Sequence, residues 1–470
     1  MNSFSFDTYI SPMTWRYGSP QMRQLWSETW KRKTLRKIWV ALARAESKAG
    51  LVTEDQVKEM ELKVNDIDIE RSLELEKELH HDLMAEIKTY AESCPTAGGI
   101  IHLGATSMDI LDNMDAMRLK QSISIIRKRL VSLLNIACLK IQETKNLYCM
   151  AFTHIQSAEP TTLGYRLSQI AQDLLFCLKE LDALDIRGKG FKGAVGTAAS
   201  YQLLLEGTGL TFESFENLIL DELQIKAFTV TTQVYPRSQD LKVMQVLSLI
   251  SCILNKAALD FRILQSSSIG ELNEPFGKKQ VGSSAMPFKR NPINSEKICS
   301  LSRLVHSFEA NAWDNASLSI LERTLDDSAN RRIYLPESFL ALDECMIVEE
   351  KILSSMVVNQ DAIKRNFDKF GVFAATEKLL METVRNGADR QEMHELIRNY
   401  SLDAWAEVQK GNTNPLRKAL SKDKTVLRFL SEEKAFNLLD ASSYCGQATS
   451  LSEKVVESVS SYLSSSSREQ

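Results

Sequence analysis

Residues 237–269 read RSQDLKVMQVLSLISCILNKAALDFRILQSSSI and contain neither glycine nor proline. Apolar residues recur there in alternating steps of four and three, at Val243, Leu247, Ile250, Leu254, Ala257, Phe261 and Leu264. Such a heptad seam favours packing against other long helices at a shallow left-handed angle. A second apolar face adds Val246, Leu249, Ile253 and Ile263. We therefore predict a helix about 50 Å long, at 1.5 Å per residue, that is buried on most sides.

Glycine and proline are rare along the whole chain. The 470 residues include only 19 Gly and 10 Pro, about half the usual fraction. Residues 109–150 and 293–335 lack both and are rich in Leu, Ile and Ala. Sandwiches and barrels, which turn about every ten residues, are hard to build from such a sequence. The prediction is an all-α fold based on a bundle of long helices.

Composition and charge exclude several classes of function. The formal net charge is −4, so no overall positive field recruits nucleic acid or membrane. No apolar run approaches the roughly 18 residues of a membrane span, and the N-terminus does not resemble a signal peptide. The eight cysteines form no CxxC pair, and the six histidines show no metal-ligand spacing with them. We expect reduced thiols, a cytoplasmic protein and no metal or cofactor.

Glycines are concentrated at 98–104, 188–209 and 270–282, which together hold 12 of the 19. Two of these clusters lead directly into small polar motifs, GATS at 104–107 and GSSAMPFKRNP at 282–292. Loops that join long helices are where a bundle would hold its chemistry. The cluster at 188–209 is interpreted only as a hinge or connection, and the serine-rich end of 451–470 as a frayed tail.

GSSAMPFKRNP is the most informative stretch of the chain. Its glycine and two prolines predict a shaped loop rather than a helix. Hydroxyl, cationic and amide donors are concentrated in it, which suits the stabilisation of an anionic intermediate. From the residues alone, a plain polar connection remains the alternative.

The loop resembles the signature G-S-S-x-M-P-x-K-x-N-P of the fumarase/aspartase superfamily, with all eight fixed letters present. HLGATSMD at 102–109 and THIQSAEPTT at 153–162 resemble two further superfamily segments. Within the superfamily, three motifs are similar to the adenylosuccinate lyase family in its animal form: RYGSP at 16–20, HHDLM at 80–84 and ERTLDDSANRR at 322–332. The resemblance spans roughly residues 1–390.

This resemblance implies a fold and a reaction. The fold would have three helical domains, 1–105, 106–358 and 359–470, and four subunits would complete the central bundle as a homotetramer with shared active sites. The reaction would be the β-elimination of fumarate from adenylosuccinate, giving AMP, and from SAICAR, giving AICAR.

Four catalytic residues follow from the resemblance. Ser283 is implied as the general base, with Lys289 supporting its alkoxide, because opposite charge lowers a pKa. His154 is implied as the general acid for the leaving nitrogen, since imidazole titrates near neutrality. Glu296 is implied as the partner that keeps His154 protonated.

The resemblance also implies a set of substrate-binding residues for one phosphate and two carboxylates. Arginine forks suit phosphate oxygens, and hydroxyls and amides suit carboxylates. His80 and Lys297 replace arginines that are common in relatives, and Ser157 replaces a proline. The expected ligands are Arg16, Tyr17, His80, His81, Asp82, Thr106, Ser107, Gln233, Asn291, Lys297, Arg323, Ser328 and Arg332.

Two alternatives stay open at this point. The chain could be another lyase of the superfamily, such as argininosuccinate lyase or aspartase. A phosphate-free substrate, however, gives no obvious use to the arginines of RYGSP and ERTLDDSANRR. It could also be a non-catalytic helical scaffold, against which the intact Ser283, His154 and Lys289 argue.

Overall fold

A computed structural model describes residues 7–277, 279, 282, 285–286 and 288–466. Helices dominate this part of the chain, so the predicted all-α class is confirmed. They are α1 (Pro20–Leu25), α2 (Glu28–Lys48), α3 (Glu54–Lys63), α4 (Ile69–Leu79), α5 (Asp82–Glu92), α6 (Ser107–Thr144), α7 (Leu163–Asp182), α8 (Ala199–Leu204), α9 (Phe212–Leu223), α10 (Ser238–Leu264), α11 (Ile293–Ser317), α12 (Asp326–Ser355), α13 (Gln360–Arg385), α14 (Arg390–Gln409), α15 (Leu416–Ser421), α16 (Glu432–Leu438) and α17 (Ala448–Ser466).

The strands of the described residues are short and pair two by two. They are β1 (Tyr148–Thr153), β2 (Gln156–Thr162), β3 (Arg187–Gly188), β4 (Lys226–Ala227), β5 (Leu272–Asn273) and β6 (Val357–Val358). β1 and β2 form an antiparallel hairpin in which Thr153 pairs with Gln156. The pairs β3–β4 (parallel) and β5–β6 (antiparallel) have two residues a strand. The β1–β2 hairpin, on which THIQSAEPTT lies, was not predicted from the sequence.

Two of the three predicted long helices are confirmed. α10 covers most of 237–269, and its seven seam residues are all buried. α6 covers most of 109–150 and ends shortly before β1. The prediction of one rod over 293–335 is wrong, because α11 ends at Ser317 and α12 begins only at Asp326. Leu321, between them, has a positive φ of 47°, and no glycine or proline marks this break.

The chain divides into two compact units, each built from three segments. Unit 1 comprises the described residues of Met1–Arg129, Cys177–Cys252 and Ser300–Ile347. Unit 2 comprises those of Leu130–Phe176, Ile253–Cys299 and Val348–Gln470. The division into three domains at 105 and 358 stays a prediction.

Unit 1 is held together by an aromatic and aliphatic core between α2, α5, α9 and the first turns of α6. Trp39 packs against Tyr90, with ring centroids 6.2 Å apart. Tyr201 packs against Phe215, with centroids 5.5 Å apart. Each fully buried side chain of this kind contributes about 1.5–3 kcal/mol of hydrophobic free energy. This core gives the cleft described below rigid walls.

Unit 2 has a separate core between α13, α14, α15 and α16, built on buried residues such as Leu379, Met393, Leu416 and Leu420. The β1–β2 hairpin packs against α13, where the Tyr148 and Phe367 rings lie 6.5 Å apart. No helix of the described residues is both long and apolar enough to cross a membrane.

Candidate active site

A cleft of about 190 Å³ in unit 1 is lined by side chains of α2, α5, α6 and α12. Four of the predicted substrate ligands line it: Asp82, Arg323, Ser328 and Arg332. They come from HHDLM and ERTLDDSANRR, which are far apart in the sequence. The structure therefore places side chains from two distant motifs around one cleft, which the sequence alone could not show.

The HHDLM motif lies where α4 ends and α5 begins. His80 ends α4 in the left-handed conformation, with φ 53°. His81 is the N-cap of α5 and accepts a backbone N–H through Nδ1, at 3.2 Å. Both imidazoles are exposed, and neither lines the cleft. Their predicted contacts with the nucleotide stay predictions.

Asp82 is the first residue of α5 and is anchored by a cation from α12. Arg332 donates a hydrogen bond to its carboxylate at 2.8 Å. Burial by itself raises the pKa of Asp82, but Lys31 and Arg332 outweigh it and hold this pKa below its ordinary value. At neutral pH the carboxylate is therefore charged and paired with Arg332.

Asp327 organises the ERTLDDSANRR segment. Arg237 donates to its carboxylate at 2.7 Å and Arg323 at 3.0 Å. Burial acts to raise the pKa of Asp327, yet these arginines keep it below the ordinary value. The backbone N–H of Gln233 donates to the carbonyl of Glu322 at 3.1 Å. The segment that carries Gln233 is therefore tied directly to the segment that carries Arg323.

One wall of the cleft contains a buried ionic cluster that was not predicted from the sequence. Tyr235 donates to Asp240 at 2.7 Å, and Arg331 donates both to Asp240 and to the Tyr235 hydroxyl, each at 2.7 Å. Arg237 donates to Asp112 at 3.1 Å. All five side chains are buried. The one sequence signal for this cluster was the polar segment TTQVYPRSQD. It contains Tyr235, Arg237 and Asp240 close to the predicted ligand Gln233.

The predicted carboxylate-binding pair 106–107 is held by Asp109, the last residue of HLGATSMD. The Asp109 carboxylate accepts the backbone N–H of Thr106 at 3.0 Å. It also accepts the backbone N–H groups of Lys192 and Gly193, each at 3.2 Å, and forms an ion pair with the fully buried Lys189. Charge-assisted hydrogen bonds of this kind are short and strong. Asp109 therefore fixes the turn that presents the two hydroxyls.

The third glycine cluster, 188–209, is more than a connection. Lys189 and Gly193 bind Asp109, as described above. Gly196 has φ +87°, and a Cβ there would overlap the carbonyl oxygen of Thr231. Only glycine allows so close an approach of two backbones. The cluster thus braces both the 106–107 pair and the 231–233 segment.

His102, in HLGATSMD, is a half-buried polar residue near these motifs. The indole N–H of Trp39 donates to its Nδ1 at 3.1 Å. Burial, and to a lesser degree His81, lowers the pKa of His102 to about 4. Its imidazole is therefore neutral at physiological pH, with the proton on Nε2. The sequence analysis gave this residue no role.

The RYGSP motif forms a fixed turn that does not line the cleft. The N–H groups of Gly18 and Ser19 donate to the carboxylates of Glu344 and Asp343, at 3.2 and 2.7 Å. The Arg16 guanidinium is exposed and lies 5.8 Å from the Tyr17 ring centroid. The predicted phosphate contacts of 16–17 stay predictions.

In unit 2, His154 and Ile155 form the tight turn of the β1–β2 hairpin. Both have positive φ, 53° and 60°. Two central residues with positive φ define the type I′ turn, which normally takes Asn-Gly. A β-branched residue in this conformation is strained, and such strain is concentrated at functional sites. The His154 imidazole is exposed at the tip of the hairpin.

The signature loop is described only in part. Ser283, the predicted base, and its neighbour Ser284 lie outside the described residues. A Cβ on Gly282 would overlap the carbonyl oxygen of Lys289, so glycine is required for the loop to fold back on itself. The Lys289 side chain is exposed, and Asn291 is half-buried just before α11.

The start of α11 is capped by Glu274, which lies about twenty residues before it in the chain. The buried carboxylate of Glu274 accepts the backbone N–H groups of Asn294, at 3.1 Å, and Ser295, at 2.7 Å. An anion at a helix N-terminus satisfies free donors and complements the helix dipole. Glu274 therefore positions the turn that carries Asn291, Glu296 and Lys297.

Glu296 and His154 do not meet in this structure. Glu296 lies 3.9 Å from Arg262, and no hydrogen bond or ion pair in the described part of the chain joins it to His154. Their pairing stays a prediction. The described residues also contain no group of three or more His, Cys, Asp or Glu side chains arranged to hold a metal ion.

Comparison with known proteins adds two family matches and several close relatives. A family described as lyase matches residues 14–306, and a family described as adenylosuccinate lyase C-terminus matches residues 373–455. The adenylosuccinate lyase of Schistosoma mansoni is 39% identical over 432 residues, 89% of this chain and 88% of that protein. Those of Saccharomyces cerevisiae and Pyrococcus abyssi are 37% and 36% identical, and each alignment covers 96% of this chain and at least 95% of the relative.

Solved structures share the fold at lower identity. A fumarate lyase from Mesorhizobium sp. BNC1 superposes with a TM-score of 0.81 at 21% identity, over 94% of this chain and 98% of that one. A 3-carboxy-cis,cis-muconate lactonizing enzyme from Pseudomonas putida superposes with a TM-score of 0.84 at 22% identity, over 95% of this chain and 98% of that one.

Proposed function

Because the chain belongs to the adenylosuccinate lyase family and is a carbon–nitrogen lyase, we propose that it cleaves adenylosuccinate to AMP and fumarate, and SAICAR to AICAR and fumarate. The observation that carries this proposal is the alignment with named adenylosuccinate lyases over almost the whole chain. Both reactions belong to purine nucleotide synthesis, and we assign the enzyme to the cytoplasm.

The reaction removes a proton from a carbon beside a carboxylate and then breaks the C–N bond. The carbon acid needs a base and stabilisation of the resulting anion, and the departing nitrogen needs an acid. Ser283 acts as the base, and the Lys289 ammonium lowers the cost of its alkoxide. The exposed position of Lys289 leaves its ammonium free to approach the substrate.

His154 protonates the departing nitrogen. Support comes from the hairpin turn, which holds His154 and Ile155 at positive φ and presents the imidazole to solvent. An exposed side chain on a strained hairpin turn fits a chemical role better than a packing role. Glu296 would stabilise the charged imidazolium once the two side chains come within hydrogen-bonding distance.

The cleft of unit 1 binds the phosphate end of the substrate. Arg323, Ser328 and Arg332 supply guanidinium and hydroxyl donors in one small space, and such donors match phosphate oxygens. The hydroxyls of Thr106 and Ser107 donate hydrogen bonds to a substrate carboxylate. The remaining ligands of the proposal are Arg16, Tyr17, His80, His81, Asp82, Gln233, Asn291 and Lys297.

The enzyme works as a homotetramer with shared active sites. The second apolar face of α10 supports this, because Leu249 and Ile253 are only half-buried and Ile263 is 38% exposed. On other long helices, Leu139, Phe176 and Trp313 are more than half exposed. Contiguous apolar surface on long helices is typical of subunit interfaces.

One assay tests the function against its two alternatives. Purified protein is mixed separately with adenylosuccinate, argininosuccinate and aspartate, and fumarate release is measured. Fumarate should come only from adenylosuccinate. Fumarate from argininosuccinate or aspartate would assign the chain to another branch of the superfamily. If none of the three compounds released fumarate, the chain would be a non-catalytic helical scaffold.

A second experiment tests the catalytic roles and the shared site together. Ser283→Ala and His154→Ala should each keep the oligomeric state, measured by light scattering, and lose turnover. An equimolar mixture should regain part of the activity if one site draws these residues from different subunits. Full activity of either single variant would refute its assigned role.

A further inference from the structure

Arg118, on α6, is a cleft residue to which neither the sequence motifs nor the proposed function assigns a role. It lines the cleft beside Arg323 and Arg332, and only 8% of its surface is exposed. Its guanidinium carbon lies 4.9 Å from the ring centroid of Trp26 and 5.0 Å from that of Trp30. Both indoles are thus within cation–π distance of this cation, and we call this pair of contacts the aromatic clamp.

The other arginines of the cleft wall all have carboxylate partners. Arg323 pairs with Asp327 and Arg332 with Asp82. The remaining two, Arg237 and Arg331, are neutralised by buried carboxylates of the ionic cluster and by Asp327.

Arg118 has no ion-pair partner among the described residues, and its buried Nε has no hydrogen-bond partner. Asp115 and Glu28 act on it only from beyond ion-pairing distance, and burial lowers its pKa. A buried cation without a counter-ion is costly. The clamp offsets only part of that cost, so the site has a place for an anion.

A second unsatisfied donor lies in the same cleft. The indole Nε1 of Trp26 is buried and has no hydrogen-bond acceptor within the part of the chain that the structure describes. More than nine in ten buried polar groups in native proteins have a partner. Arg237 Nη2, a third buried donor in the lining of the cleft, also has no hydrogen-bond partner among the described residues. Three such donors in one cleft, two of them on cations, indicate a missing acceptor that carries negative charge.

We propose that Arg118 binds the phosphate of the nucleotide substrate, with the Trp26 indole N–H as a second donor. The N–H donors of a guanidinium lie in its plane and match phosphate oxygens, and a cation–π contact with an indole does not use up these donors as hydrogen bonds. The proposal rests on the proposed function, since it assumes a phosphorylated substrate in this cleft. It makes Arg118 a determinant of specificity for the phosphorylated over the unphosphorylated nucleoside.

Calorimetric binding of AMP and of adenosine to the full-length protein tests this. Arg118→Met keeps an unbranched apolar side chain between the indoles and removes the charge. It should weaken AMP binding at least tenfold and change adenosine binding less than twofold. Arg118→Lys, which keeps the charge but not the planar fork, should have an intermediate AMP affinity. Lys120→Met, an exposed change two residues further along α6, should bind AMP like the wild type.

The kinetic counterpart is a rise in the KM for adenylosuccinate in Arg118→Met, with kcat changed less than threefold, because Arg118 is remote from the reacting bond. Trp26→Phe keeps an aromatic ring over Arg118 and removes only the N–H donor. It should weaken AMP binding about threefold. Thermal melting of each variant checks that the fold is intact. If Arg118→Met melts at a lower temperature than the wild type, the proposal is tested with Arg118→Lys instead.

Unchanged AMP affinity in both Arg118 variants would overturn the proposal. Equal losses of AMP and adenosine affinity would overturn it as well, because they would show that Arg118 only supports the shape of the cleft. In either case the wild type would still release fumarate, and the proposed function would stand. Wild-type protein that releases no fumarate and binds no AMP would overturn both.

Discussion

Asp109→Asn should strongly destabilise unit 1, because it leaves a buried ammonium without its counter-ion. Asp109 and Lys189 are both fully buried. Burial raises the pKa of Asp109 and lowers that of Lys189, and their pairing opposes both shifts. Removing one partner of a buried ion pair costs about 3–5 kcal/mol. We expect the free energy of unfolding, from urea titration followed by circular dichroism, to fall by about this amount.

The reverse change, Lys189→Met, should cost less. The Asp109 carboxylate would still accept the backbone N–H groups of Thr106, Lys192 and Gly193, and each hydrogen bond to a charged group contributes about 1.5–3 kcal/mol. The double variant should also be more stable than Asp109→Asn alone, because it contains no unpaired charge. The difference between the double variant and the sum of the single variants measures the coupling of the pair.

The same variants connect the ion pair to activity. Since Asp109 holds the 106–107 turn, Asp109→Asn should raise the KM for adenylosuccinate by about tenfold, equivalent to about 1.4 kcal/mol, and Lys189→Met should raise it less. As a control, Arg398→Gln breaks an exposed ion pair with Glu395. It should change neither the free energy of unfolding nor the KM, since exposed pairs contribute little. An Asp109→Asn protein that unfolds at the wild-type urea concentration, or a Lys189→Met protein that is the less stable of the two, would refute this reasoning.

Three other predictions concern buried acid and strained backbone. Burial raises the pKa of Glu46 to about 8, so its contribution to stability is fully present below the unfolded pKa of about 4.5 and is lost as the pH rises towards 8. Glu46→Gln should therefore be more stable than the wild type at pH 8, by about 4 kcal/mol, with a much smaller difference at pH 5, as measured by urea midpoints. Gly196→Ala should lower the free energy of unfolding more than Gly207→Ala does, because Gly207 has a similar positive φ but open space around it. The left-handed conformation alone costs about 1–2 kcal/mol. Equal losses of stability in the two variants would contradict the overlap with the carbonyl oxygen of Thr231. Ile155→Gly should stabilise unit 2 by about 1 kcal/mol by relieving a positive φ, while kcat falls because the His154 turn is less rigid; a drop in stability would show that the turn is not strained.

Much of the fold could be predicted because helix formation leaves a local pattern. The heptad seam of 237–269 predicted α10, and the lack of breakers in 109–150 predicted α6. The same reasoning failed at 318–325, where the chain leaves the helix without a glycine or proline. Leu321 adopts a positive φ there, and its own sequence gives no sign of it. Breaks of this kind are imposed by packing and override local propensity.

The site was predictable in its parts but not in its arrangement. The motifs named Asp82, Arg323 and Arg332 as ligands, and the structure brings these residues to one cleft. The pattern did not reveal Asp109 as the anchor of the 106–107 pair, because its donors on Lys189, Lys192 and Gly193 are eighty or more positions away. It also gave no reason to separate Arg118 from the other arginines of the chain.

The amino-acid sequence by itself determined the long helices, the chemical groups at their ends and the family to which they belong. Periodicity and motif spelling are properties of neighbouring residues, so they can be recognised before the chain folds. Only the tertiary structure decided which charges meet, pairing Asp82 with Arg332 across 250 residues and leaving Arg118 between two indoles without a carboxylate. The reason is physical: the energy of a charge depends on distance and on the surrounding dielectric, and both are set by packing.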